Sequence, residues 1–443
     1  MYMISKEKVR EYMVKKGIKT QKELANQLEI SESQLSMLLS ENYNPIKSNA
    51  MKLCETLDVK IDNITEQLEF DFDVERKDSA HESLIRKSNN NMEFVEVRDI
   101  EPKSTYTVLE LFAGAGGLAL GLEQAGFETV GLVEVDKYAC DTLRKNRPNW
   151  HVIEEDIVTL TEKGIEHFME TPPVGELDLL SGGYPCQAFS YAGNKGGLQD
   201  ARGTLFYYFA KLLHDLQPKM FLAENVRGLV NHDGGKTLKV MLDVFSDAGY
   251  EVKWQILKAI DYDVAQKRER IVIVGVRKDL FRKNEKLNYL FPKPFGYTLT
   301  LKDVLKDVPQ SDGAKYPESK RKVLELVPPG GYWRDLPDDI AKDYMGKSYY
   351  SGGGRTGMAR RLSWDEPSLT LTCSPAQKQT ERCHPEETRP FTVREYARIQ
   401  SFPDEWKFDC STSQAYKQIG NAVPVNMAKA IGLSIINTLN KLN

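Results

Sequence analysis

The 443-residue chain lacks any long unbroken apolar run, although hydrophobic residues make up 41% of it. A bilayer-spanning helix needs about 20 consecutive, mostly apolar residues, so no membrane partner is expected. The first residues, Met1-Tyr-Met-Ile-Ser-Lys-Glu7, also lack the charged, apolar, small-residue order of a secretory signal, and the expected location is cytoplasmic. Cysteine is scarce and scattered: Cys54, Cys140, Cys186, Cys373, Cys383 and Cys410 show no C-x-x-C spacing. No zinc cage or disulfide framework is indicated, and Cys383-His384 near Cys373 is too irregular to change the expectation of no metal. Positive charge is not in excess either, the net charge being −4, unlike a uniformly basic nucleic-acid binder.

The charge is better read by segment. Residues 1–65 hold ten Lys/Arg against nine Asp/Glu, whereas residues 66–104 hold six against eleven. Residues 277–365 carry eighteen against twelve, a local basic excess. The acidic stretch 66–104 mixes charges with Asn89-Asn-Asn91 and shows no apolar period, as flexible tethers do.

Before it, Val9, Tyr12, Met13, Leu24, Leu28, Ile30, Leu35, Leu38 and Leu39 recur at helical spacing. Thr20 with Glu23, and Ser31 with Gln34, fit two capping boxes. Two short helices joined through Glu29-Ile30 resemble a helix-turn-helix of the phage-repressor type, whose second helix would present Ser33, Gln34 and Ser36 to a major groove. A small all-helical docking domain is the alternative reading.

Residues 105–276 alternate strand and helix patterns, the signature of a parallel sheet. Thr107-Val-Leu-Glu-Leu-Phe112 runs into Ala113-Gly-Ala-Gly-Gly-Leu118 and then a helix. A second strand ends at Glu134-Val-Asp136, and a third places Asp156 after Val152-Ile153. Glycines there let a backbone approach a cofactor, and an acid after the second strand grips a ribose in doubly wound folds. Each acid could equally cap the following helix.

In Ser181-Gly-Gly-Tyr-Pro-Cys-Gln-Ala-Phe-Ser190, Cys186 follows a proline on a glycine-bordered loop. That setting gives a thiol access, which a nucleophile needs. Downstream, Glu224 and Asn225 close one strand, Arg268 and Arg270 open another, and Gln418-Ile-Gly-Asn-Ala-Val-Pro-Val425 leads into a last helix. Residues 277–365 are rich in Pro, Gly and Tyr and read as a loop-dominated recognition domain, with 366–443 returning to the catalytic domain.

In this order the motifs, from Leu109 to about Leu433, resemble those of the DNA cytosine C5-methyltransferases of bacterial restriction-modification systems. The resemblance implies an α/β fold whose doubly wound, mostly parallel sheet is of the S-adenosylmethionine-dependent methyltransferase type. A smaller loop-rich target-recognition domain and an N-terminal all-α helix-turn-helix domain complete it. It further implies S-adenosylmethionine as cofactor, double-stranded DNA as partner and functional pairing with a restriction endonuclease; the N-terminal domain would work as a dimer and repress its own gene.

By the same resemblance Cys186 attacks C6 of a flipped-out cytosine and Glu224 acts on N3. Arg268 holds O2 or steadies the thiolate, and Arg270 braces the site. Phe112 meets the adenine, Glu134 the ribose and Asp156 the adenine amino group; Gly114, Gly116 and Gly117 pass the methionine moiety, and Pro185, Leu205 and Asn421 complete the pocket. Arg355, Arg360 and Arg361 are the DNA-contact candidates of the recognition domain. Glu110 stands where many family members carry Asp. An RNA cytosine methyltransferase of the same fold, or a DNA-binding regulator with a vestigial catalytic domain, remains open at this point.

Overall fold

The computed structural model describes residues 2–4, 6–18, 20–28, 35, 53, 56–58, 65–67, 93–170, 172–184, 205–283, 287–350 and 357–442. They fall into two compact units, Met1–Lys87 and Ser88–Asn443.

In the first unit β1 (Tyr2–Ile4) precedes α1 (Lys6–Lys15) and α2 (Gln21–Gln27), and β2 (Thr65–Gln67) returns to pair antiparallel with β1. A short ribbon thus joins the expected helices. Val9, Met13, Ile18, Leu24, Ala25, Leu28, Leu35, Leu53 and Leu57 form the core. The extended backbone of Thr20 lets its Oγ1 accept a hydrogen bond from the Glu23 N–H at 3.1 Å, capping α2. The second cap and the groove-facing candidates Ser33, Gln34 and Ser36 lie outside the described residues.

The second unit opens with β3 (Phe94–Val95), which pairs with β12 (Phe291–Pro292). Val97 is fully buried and the Arg98 guanidinium lies 4.5 Å over the Phe295 ring. Residues 93–104, assigned to the tether from their charge, therefore belong to the catalytic unit: a few apolar anchors outweigh the polar average.

Its central sheet contains β4 (Tyr106–Leu111), β5 (Phe127–Glu134), β6 (Val152–Glu154), β7 (Leu179–Gly182), β8 (Met220–Val226), β9 (Tyr250–Lys258) and β11 (Glu269–Arg277), in the order β6-β5-β4-β7-β8-β11-β9. Neighbours from β6 to β8 are parallel, and β11 runs antiparallel to both β8 and β9. A short β10 (Gln266–Lys267) lies outside it and pairs with β13 (Ser368–Leu369). The helices are α3 (Gly117–Ala125), α4 (Lys137–Asn146), α5 (Ile157–Lys163), α6 (Leu205–Leu216), α7 (Lys236–Asp247), α8 (Lys278–Lys283), α9 (Leu301–Val304), α10 (Glu318–Glu325), α11 (Asp338–Met345), α12 (Val393–Ile399), α13 (Thr412–Asn421) and α14 (Val425–Leu439).

Strand residues alternate between two cores, as the pleat demands. Val108, Leu179, Met220, Leu222, Val272 and Val274 meet α3 and α14 on one face. Leu109, Leu180, Phe221, Ala223, Ile271 and Ile273 meet α5, α6 and α7 on the other. Burial on both sides explains why these strands read as continuous apolar runs. The helices α3 and α14 cross so closely that a Cβ on Gly121 would stand 2.4 Å from that of Ala428. By length and hydropathy Thr412–Leu439 could cross a membrane, contrary to expectation, but 78% of its apolar window is buried inside the fold.

Between β12 and β13 a smaller core forms around Tyr316, Leu324, Val327, Trp333, Leu336, Met345 and Met358, joined by Cys383 from beyond β13. Here one expected DNA contact is corrected. Arg361 is buried: Nε donates to Val327 O, Nη1 to His384 O and Glu387 O, and Nη2 to Leu324 O and Thr388 Oγ1. All five N–H groups of a guanidinium are then used, leaving none for a base or phosphate. Arg360 is half-buried, 5.8 Å over the Tyr332 ring, and Arg355 lies outside the described residues.

Candidate active site

A cavity of about 860 Å³ opens beyond the carboxyl ends of β4, β5, β7 and β8. Crossovers from β4 lead outward through β5 to β6, and those from β7 lead the other way to β8, so the cavity lies at the switch point where doubly wound sheets bind ligands.

The turn after β4 is built from left-handed residues. Phe112 has φ +58°, Gly114 +53° and Gly116 +83°. A positive φ at a phenylalanine is rare and needs support from its surroundings. Glu134, at the end of β5, supplies part of it: Oε2 accepts from the Gly114 N–H at 2.7 Å, and Oε1 from Val135 and Asp136 at 2.9 and 2.8 Å. Its two oxygens offer about four acceptor positions, so room for a ligand hydroxyl remains.

Gly116 corrects a second expectation. It is not among the cavity-lining residues, and a Cβ there would meet Leu143 Cδ2 at 2.7 Å and Trp406 Cζ2 at 3.0 Å. Its left-handed backbone and its packing against Leu143 and Trp406 account for glycine there. Gly117 does line the cavity.

The acids that could have been caps are caps. Asp156 accepts from Val158 N–H at 2.7 Å at the start of α5, and Asp136 from Tyr138 and Ala139 at the start of α4. Both also line the cavity. Lys417 Nζ reaches Asp136 Oδ2 at 2.7 Å. Burial opposes ionisation of Asp136, but Lys417 and the two amides outweigh it and hold its pKa below the ordinary value.

Glu110, on the cavity floor, is 1% exposed. Burial pushes its pKa up to about 8, against hydrogen bonds from Ser181 and the Ala119 N–H, so it is mostly neutral at pH 7. Through Ala119 it caps the first turn of α3, whose N-cap, Gly116, has no side chain to do so.

On the opposite wall, Glu224 Oε1 lies 2.7 Å from Arg270 Nε across the β8–β11 pair. Burial raises the Glu224 pKa, and Arg270 and Arg268 pull it back only in part. The Asn225 amide donates to Tyr184 O at 2.9 Å, while its oxygen accepts from the Val226 N–H. It thereby anchors the last described residue before Pro185 and Cys186, which both lie outside the described residues. Tyr184 and Leu205, the flanks of that segment, both line the cavity.

Arg268 does not share this geometry. Only 2% exposed, it donates through Nη1 to Leu371 O and Gly420 O at 3.3 and 3.1 Å, and through Nη2 to Asn421 O at 3.5 Å. The two arginines are thus set differently: Arg270 faces the carboxylate, and Arg268 is bonded into the wall. Phe112, Gly114, Glu134, Asp156, Leu205, Asn421, Glu224, Arg268 and Arg270 all share the cavity. Sequence reasoning missed Lys417 and Cys373, whose Sγ donates to Asn421 Oδ1 at 2.9 Å. Lys417 sits one turn before Asn421 on α13, and helical spacing alone could have found it.

Comparison with known proteins agrees with this architecture. The profile of the family described as C-5 cytosine-specific DNA methylase matches residues 106–437, and that of the Cro/C1-type HTH DNA-binding domain matches residues 8–67. The chain is similar to type II methyltransferase M.Sau96I of Staphylococcus aureus, at 56% identity over 440 residues, 99% of this chain and 100% of the relative. It is 59% identical to type II methyltransferase M.Eco47II of Escherichia coli over 348 residues, 77% of this chain and 81% of the relative. Among solved structures, the S. pombe Dnmt2 methyltransferase shares the fold, with a TM-score of 0.53 at 19% identity, covering 77% of this chain and 100% of that one.

Proposed function

Since the chain belongs to the C-5 cytosine-specific DNA methylases, we propose that its cavity methylates a flipped-out cytosine through a transient Cys186 adduct. The observation that carries the reading is the Glu224–Arg270 pair, set in the same cavity as the flanks of the Cys186 segment. Type II DNA cytosine-5 methyltransferases use S-adenosylmethionine, which supplies the methyl group from its sulfonium when bound. Among its lining residues we assign Glu134 to the ribose hydroxyls, Asp156 to the adenine amino group and Phe112 to the adenine ring.

Cytosine C5 is a poor nucleophile until the ring's aromaticity is broken. The Cys186 thiolate adds to C6, and Glu224, whose pKa burial raises, gives its proton to N3. Arg270, already on Glu224, is placed to hold the base's O2 through its remaining N–H groups. C5 then takes the methyl group. Loss of the C5 proton to a base or water and expulsion of Cys186 restore the ring, and N3 returns its proton to Glu224.

The test is direct. Labelled methyl groups from S-adenosylmethionine should enter double-stranded DNA and not RNA, and bisulfite sequencing of DNA from expressing cells should show one recurrent methylated motif. Label in RNA alone would reject the reading. A covalent complex with DNA containing 5-fluorocytosine should form with the wild type and vanish in Cys186→Ala; its persistence in that variant would reject Cys186 as the nucleophile.

The Cro/C1-type match over residues 8–67 supports a second reading, in which the N-terminal unit represses the protein's own gene beside a partner endonuclease. One helix-turn-helix reads one half-site, so two copies would meet on a palindrome. Footprinting of the upstream DNA should show protection that disappears when residues 1–87 are removed; protection without them would reject it.

A further inference from the structure

Behind the cavity wall, two glutamines join segments that line it. Gln266 and Gln400 are both completely buried, and Gln266 Nε2 donates to Gln400 Oε1 at 2.7 Å. Gln266 Oε1 accepts from the Leu371 N–H at 3.0 Å. Gln400 Nε2 donates to Ile419 O at 2.7 Å and Ala422 O at 3.1 Å. Between those two carbonyls, Gly420 O and Asn421 O accept from Arg268. Four consecutive carbonyls at the end of α13, the groups a helix terminus leaves without partners, are therefore all taken by Gln400 and Arg268.

The main chain of Gln400 grips the other side of the same turn. Its carbonyl accepts from the Val425 N–H at 3.2 Å at the start of α14, and the neighbouring Ser401 Oγ accepts from Asn426 at 3.0 Å. The turn 420–423, which lines the cavity, is thus held from both ends by one residue. Through Gln266, on β10, the same residue is tied to the segment that runs through Arg268 into β11 and Arg270, and to Leu371, where the chain returns from the smaller domain.

We infer that Gln400 is a positioning residue that sets the cofactor-side turn, the arginine pair and the returning recognition segment in one register. The inference rests on the reading of the cavity as a methyltransferase site. Together the two amides join the turn at the end of α13 to Leu371 and to each other. An apolar side chain of equal size would fill the volume yet strand Ala422 O and Gln266 Nε2 in a dry interior and leave Ile419 O with only the Ala422 N–H at 3.3 Å.

Full-length Gln400→Leu, Gln266→Leu and the double variant should be compared with wild type on a plasmid carrying the methylated motif. Calorimetry on DNA-free protein gives the S-adenosylmethionine Kd, and a single turnover at saturating cofactor and DNA gives the chemical rate. Each single variant should weaken cofactor binding about tenfold and slow the saturated single turnover about tenfold, the effect of stranding a buried polar group. The double variant should be no worse than about the poorer single one, because the two residues act through one link. Unchanged Kd and turnover rate with only a lower Tm, or multiplying effects in the double variant, would overturn the inference. Should Gln400→Leu not fold, Gln400→Asn keeps the amide on a shorter stem; losses in both constants support the inference, and a loss in Tm alone overturns it. Failure of the wild type itself to methylate DNA would count against the methyltransferase reading; an active wild type matched by active variants rejects the positioning role alone.

Discussion

Arg270 Nε stands 2.7 Å from Glu224 Oε1, between strands that run antiparallel with Val272 opposite Glu224. Arg268, two residues earlier, points into the wall instead. Residues two apart on a strand share a face, but Arg268 precedes β11, which starts at Glu269, so strand periodicity does not bind the pair together.

Because Arg270 lowers a Glu224 pKa that burial raises, Arg270→Met should raise that pKa further. A rate that needs protonated Glu224 falls as pH rises through its pKa. The basic limb of the single-turnover profile should therefore move to higher pH while the plateau drops by about 100-fold, the scale of losing a positioned acid's partner. An unmoved limb would remove Glu224 as the proton donor.

Burial pushes the Glu110 pKa up to about 8 from an ordinary value of 4.5. For a raised pKa the stability is fully present below 4.5 and is lost as pH rises through about 8. Between pH 6 and 9 the wild type should lose about 2–3 kcal/mol from this group. Glu110→Gln, neutral throughout, should lose less over that range in paired denaturant titrations; equal losses would show that Glu110 does not ionise there.

Arg361→Met should destabilise the protein by about 3 kcal/mol, since it leaves several buried carbonyls without donors. The salt dependence of DNA binding should stay unchanged. A lost phosphate contact would instead reduce the salt slope by about one, and that result would restore Arg361 to the DNA surface.

Truncation should depend on where the cut falls. Removing residues 1–87 should leave methylation intact, because the second unit begins at Ser88. Removing residues 1–100 deletes β3 and buried Val97 and should lower Tm by several degrees. Equal Tm values for the two truncations would mean that the β3–β12 pair contributes nothing.

The alternation of strands and helices, the glycine turn and the ordered motifs were legible because each depends on local chemistry: side-chain period, turn preference and residues adjacent in the chain. Two errors share one cause. Arg361 sits in a basic, glycine-rich stretch that composition assigns to a DNA surface, and residues 93–104 sit in an acidic one that composition assigns to a tether. Composition averages over a segment, while burial is decided residue by residue.

The sequence by itself determined the family and the α/β class, since these reside in short contiguous motifs. Only the tertiary structure decided which arginine meets Glu224, that burial raises the Glu110 pKa, that Gly116 packs against Leu143 and Trp406, and that Gln400 binds Gln266 across 134 positions of chain. Those relations join segments distant in sequence, and their energies come from desolvation and hydrogen-bond geometry, which exist only once the chain has closed on itself.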